Sequence, residues 1–266
     1  MAIPEGYSIP INAPLYEGPT YKYRATNTIL CIFRTSKKLL EAVVPKPLIY
    51  NSDHYVYAWV NHLPRTTGFC HYREMFLTIP VEYPGKDGMV AGNYNAHLYL
   101  DNDSPIAAGR EIYGYPKKLA RVHFSEQEDV LTRSVERGGH EIFKVSISPR
   151  VSLPIDPIDP LVAQLALPFI NYKLIPSVVQ GAKPDVAQLT LMELENFVCT
   201  KLDTGPSLVE FNSSPADPLG MFKVEEVIAG YYFEGQYDLP YGSVLHDYLK
   251  DWFNFIFILR NRIYFL

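Results

Sequence analysis

Lys117 and Lys118 stand side by side, directly after Tyr115 and Pro116, in the segment LYLDNDSPIAAGREIYGYPKKLA over residues 98–120. A lysine amine attacks a ketone only when it is neutral. At the ordinary pKa of about 10.4, roughly one lysine in two thousand is neutral at pH 7. Burial or a neighbouring cation lowers that pKa by about 3–4 units. The flanking residues Ile112, Tyr113, Tyr115 and Leu119 offer an apolar setting. Pro116 fixes its own φ and drives Tyr115 into an extended conformation. Gly109 and Gly114 permit tight backbone geometry nearby. On residue types alone, the commoner reading of such a pair is two solvated lysines after a turn.

Other chemistries leave no trace. The chain has no GxGxxG, no GxxxxGK[ST] and no GxSxG, so dinucleotide, P-loop and serine-elbow signatures are absent. Seven histidines show no HExxH or HxH spacing, and no metal site is expected. The three cysteines, Cys31, Cys70 and Cys199, are far apart and form no CxxC, which reads as reduced thiols in a cytoplasmic protein. A net charge of -5 argues against nucleic acid as the main partner. Residues 1–14 lack the basic and apolar regions of a secretory signal. No apolar run approaches the roughly 20 residues of a membrane span, and Trp252–Leu259 is too short.

The elements that must position the lysines read mainly as strands. The chain is 266 residues long, 47% hydrophobic and 20% charged, enough for a sizeable core without a disulfide or metal. Tyr94–Leu100 alternates, with Tyr94, Ala96, Leu98 and Leu100 predicted on one face. Val145–Val151 alternates too, and Pro149 demotes it to an edge or bulged strand. Residues 29–33, 55–60 and 227–233 are β-rich, and 189–202 suits a bent strand or a hairpin. Ser36 can cap a helix over Lys37–Val43 that buries Leu39, Leu40 and Val43 and stops before Pro45. Residues 157–167 and 243–250 are further helix candidates. Strands do not alternate regularly with helices, which disfavours a parallel βαβ sheet. A mainly β, α+β fold is expected, with an antiparallel sheet closing on itself and a few outer helices.

The Lys-Lys segment closely resembles the active-site segment of the acetoacetate decarboxylase family. FRTS (33–36), VVPKPL (43–48), GFCHYREMFLTIPV (68–81), NYKLIPS (171–177), GPSLVEF (205–211) and VLHDYLK (244–250) resemble further landmarks of that family. The resemblance implies a closed, cone-like antiparallel β-barrel in one domain over residues 1–250, a homo-oligomer, and no metal or organic cofactor. It implies that Lys117 forms a Schiff base with a β-keto acid, with Lys118 as its neighbour. The handling of activated lysines in this family is a known example, so that role comes from the resemblance.

Glu74 matches the family's glutamate ahead of the IPV run and is assigned to proton handling. Arg110 and Glu111, inside the motif, read more as a structural ion pair than as chemistry. Arg24, Trp59 and Tyr115 are candidates for contact with substrate. Two departures stand out. The family's second site glutamate belongs on the strand near Val56–Asn61, where this chain reads VYAWVN. The family's N-terminal arginine has Arg24 as its nearest candidate, two positions off, with Thr26 a rival for the slot. A pocket altered in this way, with Trp59 in its wall, suits a longer β-keto acid, including one from polyketide metabolism. Two other readings stand beside decarboxylation: a Schiff-base aldolase-dehydratase of the same superfamily, and a non-catalytic ligand-binding barrel. Beyond residue 250 the chain continues as DWFNFIFILRNRIYFL, which reads as a packing segment, a subunit contact or a membrane-surface anchor.

Overall fold

The computed structural model describes residues 7–156 and 160–250. The tail 251–266, the first six residues and the start of the 157–167 helix candidate lie outside them. The early strands are β1 (Tyr21–Arg34), β2 (Ile49–Tyr50), β3 (Tyr55–Leu63), β4 (Arg65–Thr66), β5 (Tyr72–Gly85) and β6 (Gly88–Leu100). After them come β7 (Lys117–Leu119), β8 (Arg121–Gln127), β9 (Val130–Arg137), β10 (His140–Ile147) and β11 (Val151–Ser152). The last are β12 (Phe169–Ile175), β13 (Val186–Met192), β14 (Glu195–Thr204), β15 (Ser207–Phe211), β16 (Glu226–Leu239) and β17 (Ser243–Asp247). Helices are short: α1 (Lys37–Val43), α2 (Asp103–Ala108), which runs on into a π-helical turn over Gly109–Tyr113, and α3 (Pro160–Leu165).

The large sheet follows the path β11-β14-β16-β1-β3-β5-β6-β12-β13-β17, and β15-β10-β9-β8 form a second sheet. The fold is mainly β, as expected. Closure is not confirmed: the end strands β11 and β17 do not pair with each other among the described residues. Nor is the sheet purely antiparallel, since β6 pairs in parallel with both β7 and β12. The parallel β6–β7 pair follows from its connection, because α2 and the π-helical turn cross back upstream to Leu98, and Lys117–Leu119 then run alongside Leu98–Leu100 in the same direction.

Both faces of the central strands are buried, which accounts for their unbroken apolar runs. Ile29, Cys31, Phe33, Val60 and Met75 face one core, together with Phe143, Val145 and Ile147 of the second sheet. Leu30, Ile32, Trp59, Phe76 and Phe233 face the other. Lys117 is found on this second side, beside Trp59, Phe76 and Phe233.

Several local expectations change. The Ser36 cap forms, its hydroxyl accepting from the Leu39 amide, but Val43 is only half-buried. Residues 243–247 are a strand, not a helix, because β13 offers them an edge to pair with. Residues 189–202 are two separate strands rather than a hairpin: β13 pairs with β12 and β17, β14 with β11 and β16. The strand expected to run on to Val151 stops at Ile147, ahead of Pro149, which cannot donate to a ladder. In β6 a bulge at Ala96 breaks the alternation, since Leu77 faces His97 while Thr78 faces Asn95. Tyr94 and Leu98 therefore pack into opposite cores. Among the described residues no helix is long and apolar enough to cross a membrane.

Candidate active site

Lys117 opens β7, and strand alternation sends successive side chains to opposite faces. Its ammonium group is buried, 3.7 Å from Glu74 Oε2. It lies 5.3 Å from the ring centre of Tyr115 and 5.7 Å from that of Tyr72. The backbone before it is tightly wound. Gly114 ends the π-helical turn at φ 82°, and the Tyr115 amide bonds back to the Gly109 carbonyl at 3.0 Å. Gly109 itself lies against the Lys117 stem, where a Cβ would come within 2.6 Å of Cδ.

Glu74 reaches the same space from β5. Its register partner on β3 is Asn61, whose own partner on β1 is Thr28. The three side chains form a row across the strands. The Thr28 hydroxyl donates to Asn61 Oδ1 at 2.8 Å, and Asn61 Nδ2 donates to Glu74 Oε1 at 3.2 Å. One carboxylate oxygen is thus held by an amide, and the other is turned to Lys117. The pocket around them is aromatic, with Tyr23, Tyr72, Tyr115, Tyr237, Trp59 and Phe233 among its walls. Burial raises the pKa of all four tyrosines, so they stay neutral donors. Among its described lining residues Lys117 is the one lysine and Glu74 the one carboxylic acid.

The electrostatics turn on which effect governs Lys117. Burial lowers its pKa from the ordinary value, while the adjacent Glu74 carboxylate pulls it back up. Burial prevails, so the neutral amine is reached at lower pH than for a free lysine.

A family model for acetoacetate decarboxylase matches residues 8–249. The chain belongs to the acetoacetate decarboxylase family. Acetoacetate decarboxylase 3 of Mesorhizobium japonicum is 30% identical over 245 residues, which cover 92% of each chain. Acetoacetate decarboxylase 1 of Bradyrhizobium diazoefficiens is 30% identical over 252 residues, 91% of this chain and 94% of the relative. The crystal structure of the Legionella pneumophila acetoacetate decarboxylase superposes with a TM-score of 0.83 at 27% identity, covering 92% of this chain and 96% of that one. The enduracididine biosynthesis enzyme MppR shares the fold, with a TM-score of 0.80, at only 18% identity. As a member of this family the protein is an enzyme of the carboxy-lyase class, and the non-catalytic barrel falls away.

In this decarboxylase-family chain, Lys117, Glu74, Trp59 and Tyr115 come together in one pocket. Lys118 and Arg24 do not. Lys118 emerges on the opposite face of β7, and its Nζ lies 2.7 Å from Asp217 Oδ1. Arg137 Nε and the Tyr99 hydroxyl also bond that carboxylate, at 2.9 and 3.0 Å. Burial works against the Asp217 charge, but the bonds from Lys118 and Tyr99 outweigh it and hold the pKa below the ordinary carboxylate value. The Lys118 charge is thus spent on Asp217, not aimed at Lys117. Arg24 turns outward to Asp238 at 2.6 Å, and its Nη1 donates to the Tyr23 and Tyr237 carbonyls. The reason is a bulge: Ala25 takes a φ of 55°, so Tyr23 and Thr26 both face the pocket. Thr26, the rival for that slot, is the one that lines it. Asn61 stands on the strand where the family's second carboxylate was expected. Arg110 and Glu111 do not pair, since neighbours on a helical turn point apart. Arg110 donates to the Lys117 carbonyl at 3.2 Å, and Glu111 accepts from the Tyr16 hydroxyl.

Sequence reasoning missed Tyr23, Tyr72 and Tyr237. A faint signal existed for Tyr72, which lies two residues before Glu74 and so on the same strand face. Two substitutions separate the effects on Lys117. Lys118→Met is expected to leave the pH midpoint for amine acylation at Lys117 in place. Glu74→Gln removes the influence that holds the proton on Lys117, so its midpoint moves to lower pH. Acylation rates followed against pH, with the adduct mapped by mass, check both.

Proposed function

We propose that the protein decarboxylates a β-keto acid to a ketone and CO2 through a Schiff base on Lys117, without a cofactor. The observation that carries this reading is a buried lysine in an aromatic pocket, opposed by one carboxylate and with the neighbouring lysine turned away. The neutral amine adds to the ketone carbon, and the carbinolamine loses water to give a protonated imine. The bond between the α-carbon and the carboxylate then breaks. Its electron pair moves into the imine as CO2 departs, leaving an enamine. Protonation of the enamine carbon and addition of water release the ketone and restore the amine.

Glu74, 3.7 Å from the amine, takes the proton released on addition and returns protons at the later steps. Thr28 and Asn61 fix its orientation. The rings of Tyr115 and Tyr72 lie close enough to the nitrogen to stabilise its positive charge in the imine. Trp59 stacks on Phe76 at 5.6 Å, and its indole nitrogen donates to Thr78 at 2.8 Å, so it forms a fixed wall. With Arg24 outside the pocket, neutral donors such as the tyrosine hydroxyls seat the substrate carboxylate. The protein works in the cytoplasm as a homo-oligomer, with residues 1–250 as its single domain.

CO2 release from acetoacetate and from 3-oxooctanoate tests the proposal. Turnover of at least one supports it. Ketone adducts without CO2 from either would transfer the chemistry to the aldolase-dehydratase type.

A further inference from the structure

Phe197 borders two cavities. It lines the pocket that holds Lys117, and it also lines a second cleft between α3 and β14. That cleft is walled by Ile155, Val162, Ala166 and Val198, with no charged side chain among its described lining residues. Cys199 completes one side. Its thiol donates to the Lys201 carbonyl at 3.2 Å, and burial raises its pKa, so it is an inert wall and not a nucleophile. α3 serves both spaces, with Leu165 on the pocket and Val162 on the cleft. The pocket residues contributed from this side, Leu165, Leu194 and Phe197, are all apolar.

The backbone explains why Phe197 stands at this junction. Glu195 pairs with Asp238 and Val198 with Gln236, so Asn196 and Phe197 together oppose Tyr237. Such a bulge re-aims a side chain that regular alternation would place elsewhere. Asn196 takes a φ of 52°, and its Nδ2 donates to Asp238 Oδ2 at 2.8 Å. The backbone of the partition is therefore fixed, and its ring is only half-buried.

We infer that Phe197 is a gate between the reactive pocket and an alkyl-chain subsite, and that the substrate is a medium-chain β-keto acid. The ketone end lies at Lys117, and the chain runs past Phe197 into the cleft lined by Ile155, Val162 and Ala166. The inference rests on the β-keto acid reading of the site.

Calorimetric binding of acetone, 2-heptanone and 2-undecanone, beside CO2 release from the matching β-keto acids, tests it. Each methylene that enters the cleft tightens binding about fourfold. Ala166→Phe fills the cleft and lowers the ratio of kcat/KM for 3-oxododecanoate over acetoacetate at least tenfold. Ile155→Gln, at an exposed position, lowers the same ratio without filling space. Phe197→Ala raises it. Long ketones that bind no tighter than acetone, or a ratio that none of these variants moves, would overturn the subsite. Failure of the reaction itself is distinct: no acid would then release CO2, yet the ketone affinities would still decide whether the cleft takes the chain.

Discussion

Lys117→Gln is expected to abolish CO2 release, by a factor on the order of 10^4 or more, while the protein stays folded. Glutamine keeps part of the stem that lies along Gly109 and brings a neutral polar end. It carries no amine that can add to a ketone. The remaining aromatic walls bind a ketone as before, so ketone affinity falls far less than turnover. The loss should be equal for short and long β-keto acids, because every substrate passes through the same imine. Gas release under single-turnover conditions, with thermal melting as the folding control, checks this. More than about one per cent of residual activity would remove Lys117 from the centre of the reaction.

Gly114→Ala is the second large effect, and it acts through geometry. Gly114 has a φ of 82°, and a Cβ there would come within 2.6 Å of the Lys173 Cα. The positive φ costs about 1 kcal/mol for a side chain, and the collision with backbone adds about 1–3 kcal/mol. Gly138 supplies the control: its φ is 60°, and a Cβ there meets nothing within 4 Å. Gly138→Ala should therefore show the φ cost alone. Gly114 also sets the start of the Tyr115-Pro116-Lys117 run, so relief by backbone movement would displace the amine. Melting temperature should drop several degrees more for Gly114→Ala than for Gly138→Ala, and kcat should fall only in the former. Equal melting shifts in the two variants would show that the close approach to Lys173 carries no cost.

The parts of the site legible in the sequence came through the likeness to a known family. The Lys-Lys segment stood out by that resemblance, since on residue types alone the pair reads as two solvated lysines after a turn. Glu74, Trp59 and Tyr115 were legible through the same resemblance, and Ser36 through its position ahead of a helical run. What stayed hidden depends on bulges. Ala25 and Asn196 adopt left-handed backbone without being glycine, and Ala96 interrupts β6. Nothing in those residue types announces the irregularity, because cross-strand register and packing impose it. Each bulge alters which side chains face the pocket: Thr26 faces it and Arg24 does not, Asn95 joins Leu98 there, and Phe197 stands at the junction of two cavities. The outward turn of Lys118 was more accessible, since alternation separates neighbours on any strand. The choice between burial and a neighbouring cation stayed open because a three-residue strand such as β7 has no periodic signal of its own.

The measurement that tests the central claim most directly is borohydride trapping. The protein is incubated with acetoacetate and, separately, with 3-oxooctanoate, reduced, digested and mapped by mass, while CO2 is recorded. The account predicts a reduced ketone adduct on Lys117, none on Lys118, and CO2 release with the same substrate. An adduct on another residue, or no adduct despite CO2 release, would contradict it.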